Sequence, residues 1–179
     1  MKIIAIADTH MTKWEPPEKL LWLIEKADLI VHAGDFVSYE VYRELTRYNL
    51  VAVKGNSDDE RIKAELEEVQ KFSIGGLRFG LTHKGNFLDD FSDLVYKAME
   101  LEVDVLIFGH LHRFVLEKRR GKIILCPGSP TQPRMSVASC AEIEVDGKRV
   151  SIRHHVVKPV ICSMEVDCFE ARGWRRENP

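Results

Sequence analysis

Two histidines, one residue apart, follow a short apolar run beyond the middle of the chain. The run is Val105–Phe108, and Gly109 separates it from His110 and His112. Alternate side chains of an extended segment share a face, so both imidazoles can point into one pocket. Neutral imidazoles that converge at the end of a buried strand are typical of a metal site. For this motif alone, a turn with two hydrogen-bonded histidines is an alternative interpretation.

Four other apolar runs also end at residues that can bind a metal. In chain order these residues are Asp8 and His10, Asp35, Asn56, and His83. The carboxyl ends of parallel strands form the ligand crevice of an α/β sheet, so all seven side chains are expected to converge. A lone Asp at a strand end is usually a helix cap or turn former, but five such strand ends predict a metal site. Seven oxygen and nitrogen ligands are too many for one ion, which predicts two divalent ions roughly 3.5–4 Å apart with a bridging carboxylate.

The types of ligand indicate which metals the site would hold. Imidazole, carboxylate and amide without thiolate suit transition metals, and we expect Mn²⁺ or Ni²⁺, with Zn²⁺, Fe²⁺ and Co²⁺ as alternatives. Mg²⁺ would require mostly oxygen ligands. The cysteines contain no Cys-x-x-Cys pair, so we expect them to pack as small buried hydrophobic residues, with a disulfide between Cys162 and Cys168 as an alternative. The four cysteines of the chain are Cys126, Cys140, Cys162 and Cys168.

The pattern of apolar runs predicts an α/β fold for a single domain over residues 1–179, with a tail from about 160 that is difficult to interpret. We predict strands over 2–7, 29–31, 50–53, 68–74, 77–82, 105–108, 113–118, 122–125, 136–145 and 148–157. Helices are predicted from the Pro16-Pro17-Glu18 start, over 39–47 and 59–67, and from Asp89 or Asp90 to about 100. Leu20, Leu21, Leu23 and Ile24 are the expected buried face of the first helix. The first two thirds alternates strand and helix, which indicates a largely parallel sheet, whereas the last third is expected to be an antiparallel meander.

Composition excludes several classes of protein. The chain has 179 residues, of which 45% are hydrophobic and 30% charged, and its net charge is −2. This balance gives no global basic field, so we expect no stable nucleic-acid partner. No apolar run approaches 18 residues and the amino terminus lacks the pattern of a signal peptide, so we expect no membrane association and a cytoplasmic location. A symmetric homodimer is a reasonable expectation for a domain of this kind.

The ordered motifs are Asp-x-His, Gly-Asp, Gly-Asn-x-Asp, a lone His and Gly-His-x-His. This set resembles the calcineurin-like metallophosphoesterase family, and above all its small single-domain bacterial and archaeal phosphodiesterases. The loop Cys126-Pro127-Gly128-Ser129 looks like the Pro-Gly-Ser loop of that branch. The resemblance implies a four-layer α-β-β-α sandwich of two mixed sheets flanked by helices. It also implies that Asp8, His10 and His112 hold one metal, that Asn56, His83 and His110 hold the other, and that Asp35 bridges them.

The expected function is hydrolysis of a small phosphate ester, chiefly a phosphodiester, by attack of a metal-bridging hydroxide. The residues expected to act in catalysis are Asp35, Asn56, Asp58 and His83, and Asp58 is expected to orient its neighbours. The resemblance alone favours a diesterase over a phosphomonoesterase. A monoester dianion would need added basic side chains, and no arginine cluster accompanies the motifs. A protein-interaction scaffold of the same fold, with weak or no catalysis, is the other alternative.

Ser57 departs from the pattern of the wider family. The resemblance implies that many members carry a histidine at the position of Ser57, directly after Gly-Asn, which protonates or stabilises the leaving oxygen. A serine hydroxyl is too weak an acid to replace it. A positioned general acid typically contributes about 10²–10⁴-fold. The sequence therefore predicts good turnover of aryl esters, whose leaving groups are acidic, and poor turnover of alkyl esters.

Overall fold

The computed structural model describes residues 1–84 and 90–159, which form ten strands in two five-stranded sheets with four helices. The strands are β1 (Lys2–Ile6), β2 (Leu29–His32), β3 (Leu50–Ala52), β4 (Val69–Ile74), β5 (Leu77–Thr82), β6 (Val105–Phe108), β7 (Phe114–Arg119), β8 (Lys122–Pro127), β9 (Ser139–Asp146) and β10 (Arg149–Val156). The helices are α1 (Glu18–Glu25), α2 (Tyr39–Leu45), α3 (Glu60–Glu65) and α4 (Ser92–Glu100).

Each sheet combines parallel and antiparallel strands. The first has the order β10-β9-β1-β2-β3, in which β1, β2 and β3 are parallel and β9 and β10 are antiparallel. The second has the order β4-β5-β6-β8-β7, in which β5, β6 and β8 are parallel. The antiparallel strands β4 and β7 lie at its edges. The predicted class of two mixed sheets flanked by helices is confirmed.

The apolar strands are buried because the sheets face each other and each is covered on its outer face. Ile3 and Ala5 of β1 point into the core between the sheets. Ile4 and Ile6 point the other way, into a second core formed with α1, α2 and α3. Helix α4 covers the outer face of the second sheet in the same manner. A fully buried isoleucine contributes roughly 1.5–3 kcal/mol to stability, and burial on both faces explains why these strands show no polar alternation.

The prediction of an antiparallel meander for the last third of the chain is wrong. The hairpin of β7 and β8 joins the second sheet, where β8 is parallel to β6. The hairpin of β9 and β10 joins the first sheet, where β9 is antiparallel to β1. An apolar run can be covered equally well by either sheet, so the sequence pattern could not distinguish these partners.

Smaller corrections concern the helices. Leu21 is half-buried rather than part of the buried face of α1. Phe91, with a left-handed φ of 57°, is the residue before α4, and the Asp90 side chain accepts the Ser92 N–H at 3.1 Å.

Asp89 lies outside the described residues, as do Gly85, Cys162, Cys168 and the tail from 160. The longest described helix has 9 residues, too short to cross a membrane.

Candidate metal centre

The predicted ligands follow five strands that belong to two different sheets. In the first sheet, Asp8 and His10 follow β1, Asp35 follows β2 and Asn56 follows β3. In the second sheet, His83 follows β5, and His110 and His112 follow β6. The sheets are tied together at this point, because Nδ1 of His83 donates a hydrogen bond to the carbonyl oxygen of Ala33 at 2.8 Å. The ligands therefore meet in a crevice between the two sheets.

Four of the seven side chains form a compact cluster. One ligand atom from each of Asp8, His10, Asp35 and His112 lies within 4.8 Å of the others. Nε2 of His10 is 3.3 Å from Oδ2 of Asp35, and Nε2 of His112 is 3.8 Å from Oδ1 of Asp8. In the described part of the chain, Oδ2 of Asp8 and Nε2 of His10 are buried without a hydrogen-bond partner. Unpartnered buried polar atoms are costly, and these converge on a point that a cation would stabilise.

A second group of donors surrounds His83. Since Nδ1 of this imidazole donates to Ala33, Nε2 is the atom that remains for a ligand. It lies 3.1 Å from Oδ1 of Asn56 and 3.4 Å from Oδ2 of Asp35. Both oxygens are acceptors, so a positive charge is needed between them and the imidazole, either as a proton on Nε2 or as a metal ion. Asp35 thus contacts His83 on one side and His10 on the other.

His110 lies at the solvent side of the centre. Its ring is exposed, and its centroid is 5.2 Å from that of His83. Its backbone N–H donates to Oδ1 of Asp8 at 3.0 Å. The structure places His110 beside the second group of donors, but outside the four-residue cluster.

The backbone of the ligand loops is strained. Five of the seven predicted ligands have φ values between 41° and 74°, in the left-handed region that most residues avoid; they are Asp8, His10, Asp35, His110 and His112. Each such residue costs about 1–3 kcal/mol. Strain of this kind persists only where surrounding contacts hold it, and it concentrates at functional sites.

Asp58 and Ser57 hold Asp35 in place. Oδ2 of Asp58 accepts the backbone N–H groups of Gly55 at 2.6 Å and of Asp35 at 3.2 Å, and Oδ1 accepts that of Val37 at 2.8 Å. Ser57 donates its backbone N–H to Oδ1 of Asp35 at 2.7 Å and its hydroxyl to Oδ2 at 3.0 Å. Asp58 therefore acts on backbone, as expected of an orienting residue, and the Ser57 proton already has an acceptor.

Burial and neighbouring charges determine the ionisation of these side chains. Burial raises the pKa of Asp8 to about 6 and also raises that of Asp58. Burial acts in the same direction on Asp35, but the adjacent His10 and His83 outweigh it and hold its pKa well below the ordinary value. For His83, burial acts to lower the pKa, and the hydrogen bond and charge of Asp35 outweigh it and raise the pKa. Asp35 therefore stays ionised and attracts a cation to Nε2 of His83.

Sequence reasoning missed most of the partners that orient the ligands. Nδ1 of His112 donates to the carbonyl oxygen of Gln132 at 2.6 Å, which leaves its Nε2 directed at Asp8. The hydroxyl of Ser129 donates to the Asp8 carbonyl at 2.7 Å and accepts the Gln132 N–H at 2.8 Å. The sequence signal for these partners is the Pro-Gly-Ser loop, to which the family resemblance gives no role. Every residue has a backbone carbonyl, so the residue types of Ala33 and Gln132 do not reveal that their carbonyls orient a ligand.

His32, which ends β2, has no access to the site. It is fully buried and stacks on Phe36 with ring centroids 3.5 Å apart. Its Nδ1 accepts the Gly34 N–H at 3.1 Å, and its Nε2 lies 3.2 Å from the Thr9 hydroxyl. Burial holds its pKa well below the ordinary value, so it stays neutral and supports the loops around Asp35.

The donor set fits divalent metal ions. It offers carboxylate and amide oxygens with imidazole nitrogens whose second ring atoms, in His83 and His112, are fixed by backbone carbonyls. Burial lowers the pKa of His110 and His112, which keeps them neutral, the form that ligates a metal. Thiolates take no part, because the described cysteines, Cys126 and Cys140, are buried elsewhere and have pKa values raised by burial to about 12.

Comparison with known proteins identifies the family. A model of the calcineurin-like phosphoesterase superfamily domain matches residues 1–148. The chain belongs to this superfamily. The resemblance drawn from the motifs is thereby confirmed.

The relatives of this phosphoesterase are of similar size. It is 33% identical over 157 residues to a probable metallophosphoesterase from Methanothermobacter thermautotrophicus, a match that covers 84% of this chain and 89% of the relative. It is 28% identical over 142 residues to a phosphodiesterase from Methanocaldococcus jannaschii, covering 72% and 83%. Its fold matches that of Vps29 from Entamoeba histolytica, solved with Zn²⁺, with a TM-score of 0.72, 24% identity and coverage of 87% and 97%. That last likeness concerns the fold alone.

Without metal, the stability that Asp8 contributes is expected to be lost as pH rises from about 4 to 6. The folded state raises the pKa of Asp8 from 3.8 to about 6, so in this range it binds a proton that the unfolded chain has released. Asp8 by itself therefore lowers the free energy of unfolding by roughly 2–3 kcal/mol across the window. The raised pKa of Asp58 acts in the same direction. His32, His110 and His112, whose pKa values are lowered, act in the opposite direction.

Urea unfolding in the presence of a chelator at pH 4 to 7 measures this slope. The free energy of unfolding of the wild type should fall by roughly 2–3 kcal/mol relative to that of Asp8→Asn between pH 4 and 6, because an amide does not titrate. A difference between the two proteins that does not change with pH would contradict the prediction.

Proposed function

We propose that this chain is a metal-dependent phosphodiesterase that binds two divalent transition-metal ions, Mn²⁺ or Ni²⁺ in preference, and hydrolyses a small phosphate ester. The observation that carries the proposal is the position of Asp35, whose Oδ2 lies 3.3 Å from Nε2 of His10 and 3.4 Å from Nε2 of His83. One carboxylate between two sets of imidazoles is the arrangement that a bridged pair of ions requires. Relatives described as metallophosphoesterase and phosphodiesterase support the same function.

Each group of donors would hold one ion. Asp8, His10 and His112 would bind the first, Asn56, His83 and His110 the second, and Asp35 both. When bound, the ions supply Lewis acidity toward phosphate oxygens and lower the pKa of water toward roughly 7.

The protein's own part is to fix and orient these donors. Ala33 and Gln132 turn the imidazoles of His83 and His112, and Ser57 holds both oxygens of Asp35. Asn56 and His110 are exposed, whereas Asp8, Asp35 and His83 are buried. A substrate would therefore approach from the Asn56 and His110 side, and the buried side keeps bulk water from the carboxylates.

A direct test is the hydrolysis of bis(p-nitrophenyl) phosphate and p-nitrophenyl phosphate by metal-free protein supplied with Mn²⁺, Ni²⁺, Zn²⁺ or Mg²⁺. We expect turnover with the transition metals, faster for the diester, and two equivalents of metal bound per chain by calorimetry. Binding of two ions without hydrolysis of either ester would favour the scaffold alternative. Failure to bind any of the ions would refute the proposal.

The leaving group should control the rate strongly. The Ser57 hydroxyl donates to Asp35 and is too weak an acid to protonate a departing oxygen. Along a series of methyl phosphodiesters from nitrophenyl through phenyl to ethyl leaving groups, we expect kcat to fall by at least about 10²-fold, the usual contribution of a general acid. Similar rates for aryl and alkyl esters would show that another side chain supplies the proton.

A further inference from the structure

A cavity of about 480 Å³ adjoins the metal centre on the side of the second group of donors. Asn56 and His83 line this cavity and also belong to the second group of donors, so the cavity is adjacent to the centre. The remaining described residues that line it are Lys54, Gly55, Lys63, Glu68, Thr82, Lys84 and Lys97. Four lysines and one glutamate make the described part of the lining positive. The volume lies within the range of about 300–1,000 Å³ typical of small-molecule sites.

Three of these lysines have no carboxylate partner among the residues the structure describes. Nζ of Lys54 donates to the carbonyl oxygen of Lys63 at 3.4 Å, and Nζ of Lys97 donates to the hydroxyl of Thr82 at 3.1 Å. Both side chains are half-buried, and Lys84 is exposed. Lys63 differs, because its Nζ pairs with Oε1 of Glu60 at 3.1 Å.

This concentration of charge is unusual in a chain whose net charge is −2. Like charges gathered in a partly buried cavity repel one another, so the arrangement destabilises the free protein. An anion in the cavity would relieve that repulsion and accept hydrogen bonds from the ammonium groups. The basic residues in the described part of this lining are lysines, which the absence of an arginine cluster near the motifs does not exclude.

We propose that this cavity binds a second phosphate group of the substrate, distinct from the one that is hydrolysed. The inference rests on the proposed phosphodiesterase function and specifies its substrate class: phosphodiesters that carry a further phosphate on the same molecule. Asn56 and His83 belong to both spaces, so one small ligand can place its scissile phosphate at the metals and its second phosphate among Lys54, Lys84 and Lys97. A free anion, such as inorganic phosphate, could bind to the same lysines, but it would not be covalently connected to the scissile phosphate.

The test uses two substrates that differ by one phosphate. They are thymidine 5′-(p-nitrophenyl phosphate) and the same compound phosphorylated on its 3′ oxygen. With the metal-loaded protein we expect the 3′-phosphorylated compound to have a kcat/KM about 10-fold higher, through a lower KM, because the added charge meets lysines without a carboxylate partner among the described residues. The double variant Lys54→Gln/Lys97→Gln removes both positive charges and leaves polar side chains that are one bond shorter, and it should bring the ratio close to unity.

Lys118→Gln, on β7 away from the cavity, is the matched control and should leave the ratio unchanged. Equal kcat/KM for the two substrates in the wild type would overturn the inference and leave the proposed function intact. If neither substrate is hydrolysed, the proposed function fails. Calorimetry of ligand binding then tests the phosphate site in the cavity by itself. In that case thymidine 3′,5′-bisphosphate should bind more tightly than thymidine 5′-monophosphate to the wild type and equally to the double variant; equal binding to the wild type would overturn the inference.

Discussion

Asp35→Asn is expected to lower kcat for a nitrophenyl phosphodiester by about 10³-fold or more. Oδ2 of Asp35 faces Nε2 of both His10 and His83, so its negative charge serves both groups of donors. An amide has the same shape and tolerates the left-handed φ of 61° found here, but it cannot offset the charge of two cations. Metal stoichiometry should fall below two equivalents per chain.

The measurement pairs steady-state kinetics with metal titration by calorimetry, and circular dichroism monitors the fold. Asp146→Asn, at an exposed ion pair with Arg149, is the matched control and should behave as the wild type. Turnover within tenfold of the wild type in the Asp35 variant would contradict its assignment as the bridge.

Gly55→Ala is expected to destabilise the fold by about 3 kcal/mol or more and to abolish metal binding by the second group of donors. A Cβ at this position would lie 2.1 Å from Oδ1 and 2.3 Å from the backbone nitrogen of Asp35. These atoms cannot retreat freely, because Ser57 and Asp58 hold them with hydrogen bonds. Displacement would also strain the bond from the Gly55 N–H to Oδ2 of Asp58.

Thermal or urea unfolding and metal titration of the variant test this expectation. Gly121→Ala serves as the control, since a Cβ there meets nothing within 4 Å and only its left-handed φ of 74° adds a cost of about 1 kcal/mol. If Gly55→Ala unfolded like Gly121→Ala and still bound two ions, the close packing around Asp35 would not matter for the site.

The sequence alone indicated the candidate donors and determined the fold class. Each donor follows an apolar run within a few residues, and the backbone carries such a residue to the end of its strand whatever the strand's neighbours are. Asp8 after β1, Asp35 after β2 and His83 after β5 could therefore be placed at strand ends from local pattern. The alternation of helix and strand similarly indicated parallel pairing, since a parallel crossover needs an intervening segment.

Only the tertiary structure decided which strands share a sheet and what surrounds the donors. An apolar strand gains the same burial in either sheet, so the division of the last four strands was not encoded in their pattern. The carbonyls of Ala33 and Gln132 orient His83 and His112 as backbone groups that every residue possesses. Lys54 and Lys97 are far apart in the sequence and have no local pattern that distinguishes them from surface lysines. They form the proposed anion site only because the fold places both in the lining of one cavity.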